Sequence, residues 1–186
     1  MKKTLKILGI VITIVVVLFY NSTYHPGQLE EESFISADSA PLLQPGEKIK
    51  VLNWNIQFMA GNKNNDFFFS GGDDPWPAKE TIAKTIKEVA RVIESENPDI
   101  ILLQEVDDGS KRTYHVDQLE ELLALLPKAY SSHSSSFYWK TRFVPHPRIM
   151  GSMGMKLSTI SKYKINRAVR HALTPISNQN FLVQQV

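Results

Sequence analysis

The chain has no cysteine among its 186 residues. That excludes disulfides, thiolate zinc sites and a cysteine nucleophile. Acidic residues are missing from one whole region: positions 130–186 carry eight Lys/Arg and no Asp or Glu, whereas positions 21–129 carry ten Lys/Arg and all 19 acids. The formal net charge of +2 therefore hides an acidic middle and a basic end. Such a block suits a polyanionic ligand, but it equally suits internal compensation between two halves of one fold. Internal repeats and low-complexity blocks are also absent, which excludes a solenoid.

The N-terminus begins with Lys2, Lys3 and Lys6, and residues 7–20 are apolar apart from Gly9 and Thr13. This run is shorter than the roughly 20 residues of a typical spanning helix. The exit Leu18-Phe19-Tyr20 is too bulky for the small-residue pattern of a signal cleavage site. We expect residues 1–24 to be an uncleaved membrane anchor, with the lysines cytoplasmic and the remainder extracytoplasmic. Secretion after signal cleavage is the alternative. Residues 25–47 contain Pro26, Pro41 and Pro45 without apolar periodicity and read as a flexible linker. Residues 48–186 are then a single domain.

Within that domain, Leu52, Trp54, Ile56 and Phe58 alternate with Asn53, Asn55 and Gln57, predicting a strand over 49–58. A long polar loop carrying Phe67, Phe68 and Phe69 follows. Ile82, Ile86, Val89 and Ile93 keep helical spacing from Pro77 to Glu96, ahead of Pro98. Ile100-Ile101-Leu102-Leu103 reads as a strand buried on both faces, ending in Gln104-Glu105. Asp107-Asp108-Gly109-Ser110 reads as a turn, and Leu119, Leu122, Leu123 and Leu126 mark a second helix. Two further strands are expected over 130–142 and 151–160, joined by a loop at Pro145-His146-Pro147. The fold class is α/β (α+β).

A buried strand tolerates Glu105 only at its end, where the carboxylate meets water, a cation or a donor. A hard cation such as Mg²⁺ keeps several waters, so one or two protein carboxylates suffice to hold it. Asn55 is placed to orient such a ligand or to donate its amide to a phosphate oxygen. His146 with Arg148 is the candidate pair for substrate contact; the other four histidines read as structural or exposed.

Leu52-Asn53-Trp54-Asn55-Ile56, followed by Pro98-Asp99-Ile100 and Leu103-Gln104-Glu105, resembles the endonuclease/exonuclease/phosphatase superfamily. The resemblance implies the N-terminal half of a four-layer α/β/β/α sandwich. It also implies Mg²⁺ (or Mn²⁺) held by Glu105, a catalytic role for Asn55, and a phosphodiester or phosphomonoester substrate such as nucleic acid or phospholipid. The family's later Asp-x-Asn and Ser-Asp-His motifs require acids that residues 130–186 lack. We therefore expect a truncated domain with an incomplete catalytic site. The alternative is a non-catalytic anchored module that binds phosphate or a partner.

Overall fold

The computed structural model describes residues 2–61, 76–147 and 149–173. It begins with a helix, α1 (Lys2–Ser22), whose 21 residues span about 30 Å at 1.5 Å per residue. Its stretch Lys3–Ser22 is long and apolar enough to cross a membrane, and none of it is buried against the rest of the protein. The helix is longer than the apolar run because Lys3, Thr4, Asn21 and Ser22 continue its backbone.

Helix α2 (Lys79–Glu96) buries Ile82, Ile86, Val89, Ala90 and Ile93, the face read from the sequence. Asn97 stops it in the left-handed conformation, returning its N–H to Ile93 O just before Pro98. Strand β3 (Val51–Asn55) and strand β4 (Ile100–Asp107) run parallel, flanking that helix in sequence. Helix α3 (Gln118–Leu123) starts at an Asp117 cap, whose Oδ1 accepts from Leu119 N–H and Glu120 N–H. It is shorter than expected, and only single turns continue to Leu126. Strands β5 (Ser132–Val144) and β6 (Gly151–Ser161) form a long antiparallel hairpin.

The main sheet has the order β2-β5-β6-β4-β3, where β2 is Phe34–Ser36. Both helices lie on one face of it. Ile101, Leu103, Val106 and Ile160 meet the α2 face and Leu119 and Leu122 of α3 in one core. Tyr130 donates to Pro98 O across this layer at 2.8 Å.

Two expectations change. Strand β4 is not buried on both faces: Ile101 and Leu103 are buried, but Ile100 and Leu102 are only half-buried, and Leu157 nearby is exposed. Among the described residues, helices cover just one side, and a cavity of about 640 Å³ lined partly by Leu102, Gln104 and Ser134 opens on the other. Residues 25–47 are not wholly a linker either. Strand β2 pairs antiparallel with β5 (Phe34 opposite Ser134), and β1 (Leu29–Glu31) pairs with β7 (Val169–His171). Three-residue strands are too short to show a period, and β2 covers the open edge of β5 that would otherwise stay unpaired.

The β1–β7 ribbon is tied by ion pairs. Arg170 meets Glu30 and Glu32, and Arg167 meets Glu31. The Gly27 N–H and the Arg170 guanidinium hold the Glu30 carboxyl below its usual value, and Arg167 does the same for Glu31. A carboxyl depressed in the folded state stabilises above its unfolded value and loses that contribution as pH falls through the folded one. Protection of the ribbon amides from hydrogen exchange should therefore drop below pH 4.5, the ordinary glutamate value, while amides of β4 and β6 stay protected. Equal ribbon protection factors at pH 7 and pH 3 would contradict this.

Candidate active site

Parallel pairing brings the carboxyl ends of β3 and β4 together, with Asn55 opposite Gln104. Asn53 and Asn55 share the sheet face away from the helices. Gln104 Nε2 donates to Asn53 Oδ1 at 2.6 Å, so it lies on that face as well. By strict alternation Glu105 would then follow Ile101 and Leu103 towards the apolar core. It does not. The β4–β6 register shifts between Leu103 and Val106, and Glu105 takes a left-handed φ of 57°. The extra residue is a β-bulge, which turns Glu105 outward and Val106 inward. Val106 is fully buried in the core.

The carboxylate so delivered meets Asn55: Asn55 Nδ2 donates to Glu105 Oε1 at 2.9 Å. The orientation of that amide is fixed from behind, because Gln57 N–H donates to Asn55 Oδ1 at 3.0 Å. Strand β3 ends here, earlier than the 49–58 expected. Ile56 N–H still donates to Gln104 O, but Gln57, Phe58 and Met59 all have positive φ and form a tight turn, Gln57–Met59. Non-glycine residues in this region cost on the order of 1 kcal/mol each, so packing must hold the turn. Met59 is fully buried, and Phe58 is nearly so.

The support comes from the loop after β4. Arg112 Nε and Nη2 donate to Asp107 Oδ2 and Oδ1, both at 2.9 Å, and Thr113 Oγ1 adds a third bond at 3.1 Å. The same guanidinium lies 3.5 Å from the Phe58 ring centroid. Gln118 Nε2 donates to Phe58 O at 2.7 Å, while its Oε1 accepts from Asp107 N–H at 3.0 Å. Asp107 is thus a buried brace for the turn, fully engaged, and the strand continues through it before the turn at Asp108 begins.

Asp108 and Asp117 are engaged too, by Lys156 Nζ at 2.9 and 3.1 Å. His133 lies near this trio, and burial pushes its pKa down, against Asp117 and with Lys156. His115 turns its Nδ1 to Gly109 O at 3.0 Å. His146 is not brought to Glu105. Its loop joins β5 to β6 beyond the Val144–Gly151 pair, five residues along β6 from Lys156, which stands opposite Val106. Five strand residues span roughly 16 Å. Arg148 and the three phenylalanines 67–69 lie outside the described residues.

Among the described residues, no group of three or more His, Asp and Glu is placed to share a metal. The donor set that does exist is one carboxylate with an amide beside it. Glu105 Oε2 has no hydrogen bond among the described residues, and Asn55 Oδ1 keeps a second lone pair. The free Glu105 oxygen fits an open Mg²⁺ or Mn²⁺ site whose remaining positions go to water and phosphate; one carboxylate does not fit a closed structural site.

The basic end is largely neutralised from within. Lys156, Lys162, Lys164, Arg167 and Arg170 all pair with acids from the acidic middle of the chain. Internal compensation thus accounts for most of the charge asymmetry. Three features of the site were missed in the sequence: the bulge, the left-handed turn and the Asp107–Arg112 brace. One signal for the bulge was present, since polar Glu105 occupies the inward phase and apolar Val106 the outward one.

A family model described as the Endonuclease/Exonuclease/phosphatase family matches residues 52–182, a span that includes Asn55 and Glu105. A solved endonuclease/exonuclease/phosphatase from Beutenbergia cavernae DSM 12333 is 25% identical, with a TM-score of 0.37. That match covers 61% of this chain and 26% of the solved one. No curated protein matches this chain.

Replacing Arg112 by Met keeps apolar bulk against Phe58 but strands the buried Asp107 carboxylate. Urea unfolding should show a loss of about 3–5 kcal/mol. A loss below about 1 kcal/mol, the worth of an exposed pair, would contradict the bracing role.

Proposed function

This chain belongs to the endonuclease/exonuclease/phosphatase family, and from that premise we propose that its domain is a membrane-anchored, Mg²⁺- or Mn²⁺-dependent phosphoester hydrolase with Glu105 as metal ligand and Asn55 as catalytic amide. The observation that carries the reading is the Asn55–Glu105 hydrogen bond at the bulge. It places a carboxylate and an amide N–H donor together at the carboxyl ends of two parallel strands, where open α/β sheets bind ligands.

A bound Mg²⁺ or Mn²⁺ supplies positive charge to a phosphate oxygen and to an attacking water. The chain's own residues do the rest of what is present here. Glu105 would hold the cation through the carboxylate oxygen that Asn55 leaves free. Asn55 fixes the other oxygen, and its amide adds a donor beside the substrate phosphate. Gln57 N–H keeps that amide from flipping. Arg112 stays out of the reaction, since Asp107 occupies its fork.

The substrate is a phosphodiester or phosphomonoester, of nucleic acid or phospholipid. Lys2, Lys3 and Lys6 precede the apolar run of α1, so the domain faces the extracytoplasmic side; secretion after cleavage is the alternative. A second reading is a non-catalytic anchored module that binds phosphate or a partner. Residues 130–186 hold no acid, so neither Asp-x-Asn nor Ser-Asp-His falls within them.

Hydrolysis of bis-p-nitrophenyl phosphate by the full chain separates the two. The hydrolase reading expects Mg²⁺-dependent turnover that Glu105→Gln lowers by roughly 100-fold or more. Equal rates in both proteins would remove Glu105 from the site. Phosphate binding without turnover in the unmutated chain would favour the module.

A further inference from the structure

The rung of the sheet that carries the Glu105 bulge is irregular on both sides. Lys156 of β6 stands opposite Val106 of β4 and opposite Phe137 of β5. On the β4 side the register shifts between Leu103 and Val106; on the β5 side it shifts between Phe137 and Trp139. Each flanking strand therefore carries additional residues next to the Lys156 rung: Gln104 and Glu105 between the Ser158 and Lys156 rungs on one, Tyr138 between the Lys156 and Met155 rungs on the other. Bulges re-aim side chains, and these two lie on adjacent rungs with only β6 between them. With one strand between them, the two backbones are roughly 10 Å apart.

The tyrosine behaves as a neighbour of Glu105. Burial pushes the Tyr138 phenol well above its usual pKa, and the Glu105 charge is the next contribution in the same direction. Arg112 opposes this and Asp107 adds to it. The phenol is thus neutral and keeps its proton. Its partner among the described residues is Met155 Sδ at 3.6 Å, a weak acceptor. A half-buried tyrosine hydroxyl ordinarily finds an oxygen acceptor, so this donor is under-used.

We propose that Tyr138 is a substrate-contacting residue of the site, donating its hydroxyl proton in a hydrogen bond to a non-bridging oxygen of the phosphoester bound beside Glu105. The proposal rests on the phosphoester reading above and adds to it a donor from a third strand. Asn55 and Tyr138 then flank Glu105 from opposite sides, since β3 and β5 lie on either side of the β4–β6 pair. A neutral donor suits this position better than a cation, because it contributes to phosphate binding without competing for the Glu105 carboxylate.

The test uses the full chain in detergent, with Mn²⁺ and inorganic phosphate as probes. Electron paramagnetic resonance reads Mn²⁺ affinity, calorimetry at saturating Mn²⁺ reads phosphate affinity, and urea midpoints read folding. Tyr138→Phe should keep the Mn²⁺ affinity and the urea midpoint, since it removes only a contact to sulfur, while weakening phosphate roughly tenfold. Glu105→Gln should lose Mn²⁺. Unchanged phosphate affinity in Tyr138→Phe would overturn the proposal and leave Glu105 as ligand intact. So would loss of Mn²⁺, phosphate and urea midpoint together, which marks a structural tyrosine. If Glu105→Gln binds Mn²⁺ and phosphate as the unmutated chain does, the phosphoester reading itself falls.

Discussion

The site depends on one backbone irregularity, the bulge that turns Glu105 out of the core and onto the amide of Asn55. Without it, the strand phase of Ile101 and Leu103 would carry a carboxylate into the apolar layer against α2, at a cost of several kcal/mol. With it, Val106 fills the core position and the carboxylate stands at the sheet's open end. The same shift that protects the core creates the candidate metal ligand. Fold and candidate site are coupled at this residue because a single change of phase serves both.

A left-handed residue in a strand does not persist alone, and the surroundings show what holds it. The Gln57–Met59 turn closes one side, with Gln57 N–H on Asn55 and Phe58 under the Arg112 guanidinium. The Asp107–Arg112 pair closes the other, and Gln118 links the two by bonding to both Asp107 N–H and Phe58 O. Buried ion pairs are weak evidence for stability in themselves, since their desolvation offsets much of the attraction. What this one supplies is rigidity: it fixes the loop after β4 against the turn after β3, and so fixes the angle between Asn55 and Glu105. Tightly held groups of this kind lose little ordering entropy when a ligand binds.

Much of this was legible in the sequence. The α2 face and the strand–helix–strand unit follow from spacing and residue type, the grouping of Asn55 with Glu105 is what the family resemblance implies, and the helix stops where Asn97-Pro98 says it should. The short strands β1 and β2 were not legible, because three residues carry no period and their partners lie over 90 positions away. Alternation also failed at the two bulges, since it assumes an unbroken strand. It failed again at Ile100 and Leu102, where apolar composition was read as two-sided burial but, among the described residues, only one side has helices over it. The Asp107 brace escaped for a different reason. An Asp-Asp-Gly run looks like a surface turn, and only the fold shows that its first carboxylate points inward to Arg112.

The central claim is that the bulge presents Glu105 to a divalent cation. Crystals of the protein soaked in Mn²⁺, with diffraction recorded near the manganese absorption edge, test it most directly. The account predicts an anomalous peak within coordination distance of the Glu105 carboxylate, on the side away from Asn55 Nδ2. Bound manganese elsewhere on the domain, with none at Glu105, would contradict it.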